Sequence, residues 1–159
     1  MPTFGGRPTR RVILWGAVAT AALLLPRISE AQGPAITIYK SPTCGCCSGW
    51  ADHLRRTGYG VTTIDAEDLY PIKAKLRVPA DLEGCHTANV DGYTLEGHVP
   101  AHAVQRLLRE RPDVIGLAVP GMPEGSPGME TSRAELYEVV SFADARREVF
   151  GRYRGENPV

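Results

Sequence analysis

The chain has 159 residues, with 18 basic and 18 acidic side chains and 43% hydrophobic residues. That is one ordinary domain's worth, with enough apolar residues for a core. The charges balance and no basic run stands out, which argues against an electrostatic nucleic-acid binder.

Arg7, Arg10 and Arg11 precede an apolar run from Val12 to Leu25. Pro26 ends it, and Ser29-Glu30-Ala31 puts small residues where a signal peptidase reads. The pattern predicts a signal peptide over residues 1–31, cleaved near Ala31, and no membrane span in the mature chain, 32–159. Thr9-Arg10-Arg11-Val12-Ile13-Leu14 also resembles a twin-arginine export signal. The expected destination is periplasmic or otherwise exported, in an oxidising compartment.

After a short linker, Ala35 to Tyr39 reads as a strand. Lys40 to Thr43 is a turn, and Ser41 or Thr43 is a candidate cap for a helix from about Cys47 to Thr57. Cys47, Trp50, Ala51 and Leu54 share one helical face, and Gly58 stops the helix. Gly60 to Ala66 reads as a second strand, and Leu69 to Leu76 as a helix with Pro71 in its first turn. Cys85 to Val90 and Tyr93 to Val99 are strands joined by Asp91-Gly92, a hairpin signal. Pro100 opens a helix over Ala101 to Glu110. Between Gly116 and Glu130 the density of proline and glycine argues against helix and central strand alike and predicts a long functional loop. Tyr137 to Phe142 is a further strand, with Arg147 to Tyr153 as its partner. The order β-α-β-α-β-β-α, with cysteines between the first strand and first helix, predicts an α/β, thioredoxin-like fold: a mixed central sheet flanked by helices, plus a long Gly/Pro-rich loop.

The cysteines are Cys44, Cys46, Cys47 and Cys85. Thiols at a helix N-terminus ionise more readily, which suits both disulfide exchange and metal binding. Cys44 and Cys47 make the C-x-x-C pair of an oxidoreductase. Cys46 is a third thiol that such chemistry does not need. Three close sulfurs, with Cys85 brought to them across the fold, suit a soft metal. Cu(I) fits best, zinc less well, since there is only one C-x-x-C knuckle. Met122 and Met129 are second-tier thioether donors for Cu(I), although core filling is their commoner use. Structural disulfides, such as Cys44–Cys47 with Cys46–Cys85, remain an alternative that the crowding weighs against. Strand alternation from Cys85 predicts that His86 points to the opposite face, with Thr87 and Asn89 on the Cys85 face. His53 and His102 read as solvated, His98 as fixing a corner by a hydrogen bond, and Trp50 as core. Glu96 and Glu124 read as lone carboxylates.

Several motifs carry a resemblance. They are Tyr39-Lys40-Ser41-Pro42-Thr43-Cys44-Gly45-Cys46-Cys47, Cys85-His86-Thr87-Ala88, Asp91-Gly92-Tyr93, Glu96-Gly97-His98-Val99-Pro100, and Gly116 to Pro123 with Gly125 to Glu130. Together they resemble the domain of unknown function 411 family, which includes the CopG-type periplasmic copper-resistance proteins. The resemblance runs from about Ile36 to Tyr153. It implies a thioredoxin-like fold, export, and copper held by Cys44, Cys46, Cys47 and Cys85 in a copper-tolerance role. The partners it implies are copper ions and other periplasmic copper-handling proteins. The turn Ala143-Asp144-Ala145 departs from the Asp-Gly hairpin turn usual in the family, which leaves the shape of the last hairpin open.

Overall fold

The computed structural model describes Met1, Pro2, Gly5 and residues 33–159. The chain divides into two compact units, Met1–Glu30 and Ala31–Val159, and everything below concerns the second. The expected signal peptide and twin-arginine motif lie outside the described residues. Among the described residues no helix is long and apolar enough to cross a membrane.

The chain forms β1 (Gly33–Lys40), α1 (Gly45–Arg56), β2 (Tyr59–Asp65), α2 (Tyr70–Lys75), a 3₁₀ turn (Ala80–Leu82), β3 (His86–Val90), β4 (Tyr93–Glu96), α3 (Ala101–Glu110), β5 (Gly116–Ala118), β6 (Leu136–Ala143), β7 (Arg146–Arg154) and β8 (Asn157–Pro158). The strands make one sheet in the order β2-β1-β3-β4-β5-β6-β7-β8. The β1–β2 and β4–β5 pairs are parallel and the remaining pairs antiparallel. This is a mixed α/β architecture with a wide, mostly antiparallel sheet and few helices.

Local chemistry sets most boundaries. Gly58 takes φ +95° just past α1, and its N–H bonds the Arg55 carbonyl at 3.0 Å. Asp91 and Gly92 both have positive φ, the geometry of a two-residue hairpin turn. Between β6 and β7 Asp144 takes φ +45° while Ala145 does not have a positive φ, and the Asp144 carboxylate pairs with Arg77. The turn brings Ala143 opposite Arg146, and further along the hairpin a β-bulge shifts the register between Val139 and Val140. Capping of α1 differs from expectation. Cys44 is the N-cap residue and no side chain caps the helix, because the Ser41 and Thr43 hydroxyls bond each other at 3.2 Å.

Period-2 alternation puts Ile36 and Ile38 of β1 on one face, opposite Val90 and Ala88 of β3. Trp50, Ala51 and Leu54 of α1 and Ala103, Val104 and Leu107 of α3 complete that core. Each fully buried large side chain there contributes about 1.5–3 kcal/mol. A second, smaller cluster of Leu82, Ala118 and Phe142 packs elsewhere on the sheet.

The Gly/Pro-rich stretch needs a correction. Its first three residues, Gly116–Ala118, are a central strand between β4 and β6. They lie ahead of Pro120, so each keeps its backbone N–H for the ladder. Gly116 is required there: a Cβ would lie 1.9 Å from the Thr94 carbonyl oxygen of β4.

Candidate metal centre

Strand β1 ends at Lys40, whose ammonium pairs with Asp65 of β2 at 2.9 Å. The Cys44 N–H then bonds the Ser41 carbonyl at 3.1 Å, closing the turn that delivers the cysteines to the start of α1. Gly45 lies in the helix without a positive φ, so it is not needed to bend the backbone between Cys44 and Cys46 as a turn residue would.

The Sγ atoms of Cys44, Cys46, Cys47 and Cys85 all lie within 4.8 Å of one another. Cys85 is the hub. Its sulfur is 3.5 Å from Cys47 Sγ and 3.8 Å from Cys46 Sγ. Cys44 and Cys47 are joined as a disulfide, while Cys46 and Cys85 are free. Crowding therefore does not prevent a disulfide in the C-x-x-C pair, whose Cα atoms are 5.5 Å apart. The second bridge of the disulfide alternative, Cys46–Cys85, is not formed.

The expected orientation of His86 is corrected. Strand β3 begins at His86, so Cys85 lies outside the ladder and its side chain does not follow strand alternation. His86 Nδ1 sits 3.4 Å from Cys85 Sγ. His98 Nε2 reaches the same sulfur at 4.0 Å. Both rings are fully buried. His86 Nε2 faces the Gly97 carbonyl at 2.9 Å, and His98 Nδ1 faces the Pro127 carbonyl at 2.7 Å. A carbonyl only accepts, so those nitrogens carry the protons and the nitrogens facing Cys85 are bare. A histidine fixed by a carbonyl with its other nitrogen bare is the usual arrangement of a metal ligand. Cys85, His86 and His98 thus form a second donor group sharing the Cys85 sulfur. The corner bond expected of His98 is present. The adjacency of Cys85 and His86 is the sequence signal for this second candidate donor.

Trp50 walls the site. Its ring packs 4.5 Å from His86, and its Nε1–H donates to the Val99 carbonyl at 2.8 Å. Trp50 is fully buried, as expected of core. The 116–130 stretch covers the α1 start through Gly128, where a Cβ would meet Trp50 N at 2.5 Å and the Cys46 carbonyl oxygen at 2.7 Å. Met122 of that stretch is 58% exposed and Met129 half-buried. Met122 is therefore not core filling.

Two other expectations fail. His53 is buried, not solvated: its Nε2 accepts the Ala101 N–H at 3.1 Å and so satisfies the start of α3. Glu96 is fully buried and ion-paired with Lys73. His102 is exposed as expected, and so is Glu124.

Burial pushes the Cys85 thiol up to about 11, reinforced by the neighbouring Cys46 sulfur. Its proton leaves readily only when a cation takes its place. Burial pushes His86 down to about 3, helped by His98, and holds His53 and His98 below the ordinary value. These imidazoles are neutral when folded and protonate once unfolded. Below about pH 6.5 the unfolded chain therefore binds more protons, and stability decreases as the pH is lowered. The metal-free protein is expected to lose about 2 kcal/mol between pH 7 and pH 5 from His86 alone. Thermal melts at the two pH values check this, and an unchanged Tm would contradict neutral buried imidazoles.

Soft sulfurs converging on one point beside two bare imidazole nitrogens, on an α/β scaffold, define the class as a metal-binding protein. Residues 82–129 match the family described as "Protein of unknown function, DUF411". Two solved structures are similar over nearly their full length. Copper resistance protein CopG, form 1, is 43% identical with a TM-score of 0.72, covering 77% of this chain and 99% of that one. Form 2 is also 43% identical with a TM-score of 0.72, covering 76% and 98%. No curated protein matches. The chain belongs to the DUF411 copper-resistance family.

Proposed function

We propose that this protein is an exported copper-binding protein that holds Cu(I) among Cys44, Cys46, Cys47 and Cys85 and serves copper resistance or homeostasis. The observation that carries this reading is the convergence of four sulfurs within 4.8 Å on Cys85. The donor set is soft, which favours Cu(I) over zinc. The strand order β2-β1-β3-β4 around α1 supports reading the first half as a thioredoxin-like unit. His86 and His98 add nitrogen donors on one side of Cys85. Met129, half-buried on the covering loop, is better situated as a thioether donor than the exposed Met122.

Loading requires reduction of the Cys44–Cys47 bond. A two-thiol reductant gives up two electrons and two protons and becomes a disulfide, while Cys44 and Cys47 become thiols. Copper then displaces thiol protons. Trp50 and the Gly128 turn limit water at the site. A second reading is favoured by the same disulfide: thiol–disulfide exchange through Cys44 and Cys47. Reductase activity that survives Cys46→Ser and Cys85→Ser would support it.

The test is a Cu(I) titration of mature protein against a competing chelator. The reduced form is expected to bind at least about a hundredfold more tightly than the disulfide form, because two of four sulfurs are withheld in the latter. Binding by the reduced form no tighter than by a Cys44→Ser/Cys47→Ser variant would overturn the proposal.

A further inference from the structure

Behind the sulfurs lies a buried polar cluster that metal binding does not use. Glu96 of β4 is fully buried, and its Oε1 pairs with the Lys73 ammonium of α2, itself 5% exposed. Its Oε2 accepts the Thr87 hydroxyl at 2.6 Å, and that hydroxyl accepts from Lys73 at 2.8 Å. The remaining contact leaves the cluster: Gly84 N–H donates to Glu96 Oε1 at 2.6 Å. Gly84 immediately precedes Cys85. On the other side of Cys85, the His86 ring donates to the carbonyl of Gly97, the residue after Glu96. Two consecutive residues at the end of β4 therefore grip the two residues flanking Cys85.

A buried ion pair is weak evidence for stability, since apolar side chains of similar volume often serve as well. The Gly84 bond gives this one a different use. Cys85 belongs to no strand, so the ladder does not fix its backbone. We infer that the buried Glu96 side chain is a positioning group whose acceptor oxygen holds the Gly84–Cys85 segment so that the Cys85 sulfur meets the Cys44–Cys47 turn. This inference rests on the copper-site reading for its use, not for its geometry.

Two double variants isolate the clamp. Lys73→Met/Glu96→Leu removes the charges and the acceptor for Gly84. Lys73→Met/Glu96→Gln removes the charges and keeps the acceptor. In a Cys46→Ser background with the Cys44–Cys47 disulfide intact, Cys85 is the single free thiol. Its iodoacetamide alkylation rate is expected to rise about tenfold in the Leu variant and to stay near the parent rate in the Gln variant. With Cys46 restored and the protein reduced, Cu(I) affinity should fall about tenfold in the first and hold in the second. Equal alkylation rates in the two folded variants would overturn the inference.

Gly84→Pro gives a second route should the Leu variant not fold. It removes the donor and puts the ring Cδ where the N–H met Glu96 Oε1, so the segment must leave the carboxylate, while Glu83 at φ −59°, ψ 131° is already in the conformation proline requires before it. The same tenfold rise in alkylation is expected, and the parent rate would again refute the clamp. If the parent protein binds no copper, the copper reading fails, while the alkylation contrast still decides this one.

Discussion

Replacing Cys85 with serine is expected to weaken Cu(I) binding by the reduced protein about a hundredfold to a thousandfold. Shared among four ligands, the binding energy of a soft-metal site gives a loss of about this size per ligand. Cys85 stands at the upper end because it joins both donor groups. Its sulfur faces Cys46, Cys47, His86 and His98, whereas the close neighbours of the Cys44 sulfur are Cys46 at 3.5 Å and Cys47, its disulfide partner. Serine preserves size but offers a hard oxygen to a soft ion. Competition titration of Cys44→Ser beside Cys85→Ser gives the comparison. A smaller loss at Cys85 than at Cys44 would remove Cys85 from the centre of the site.

Gly128→Ala is expected to destabilise the protein by about 3 kcal/mol, with Tm lower by roughly 10 °C. Two costs add. Gly128 has φ +87°, which L side chains rarely adopt, and the new Cβ would overlap backbone atoms of α1: Trp50 N at 2.5 Å, Cys46 O at 2.7 Å and Gly49 C at 3.1 Å. Backbone cannot rotate away as a side-chain tip can. The loop must lift or the first turn of α1 must shift. Lifting the loop would take the neighbouring Pro127 carbonyl from His98, releasing the hydrogen bond that fixes that ring. Gly45→Ala is the control, because nothing lies within 4 Å of its Cβ and the position is helical. Comparable losses at the two glycines in a thermal melt would refute the seating of the loop.

What was legible in the sequence was whatever local chemistry decides. Asp91-Gly92 announced the β3–β4 hairpin, Gly58 the end of α1, and Pro100 the start of α3. The crowding of Cys44, Cys46 and Cys47 marked the site, and Cys85 was drawn to it on topology. The errors share a physical origin. Alternation carried back to Cys85, which lies outside the ladder, assigns its side chain to the Thr87 face, whereas its sulfur sits beside the His86 ring. That hid His86. Lys73 and Glu96 are 23 residues apart and meet only through packing of α2 on the sheet, so neither announced its partner. His53 was read from its place off the apolar stripe of α1, but its ring reaches across to the Ala101 N–H of α3. The strand β5 was lost because the prolines that follow it dominated its surroundings.

The order of the elements also has a consequence for a chain still being made. All four cysteines have emerged once Cys85 has, within β1 to the start of β3. His98, Pro127 and the Gly128 turn, which border and cover the sulfurs, come later. The thiols are therefore complete before their cover exists. During that interval they are open to premature oxidation and to stray metal, and the nascent protein depends on its surroundings for protection it later supplies itself.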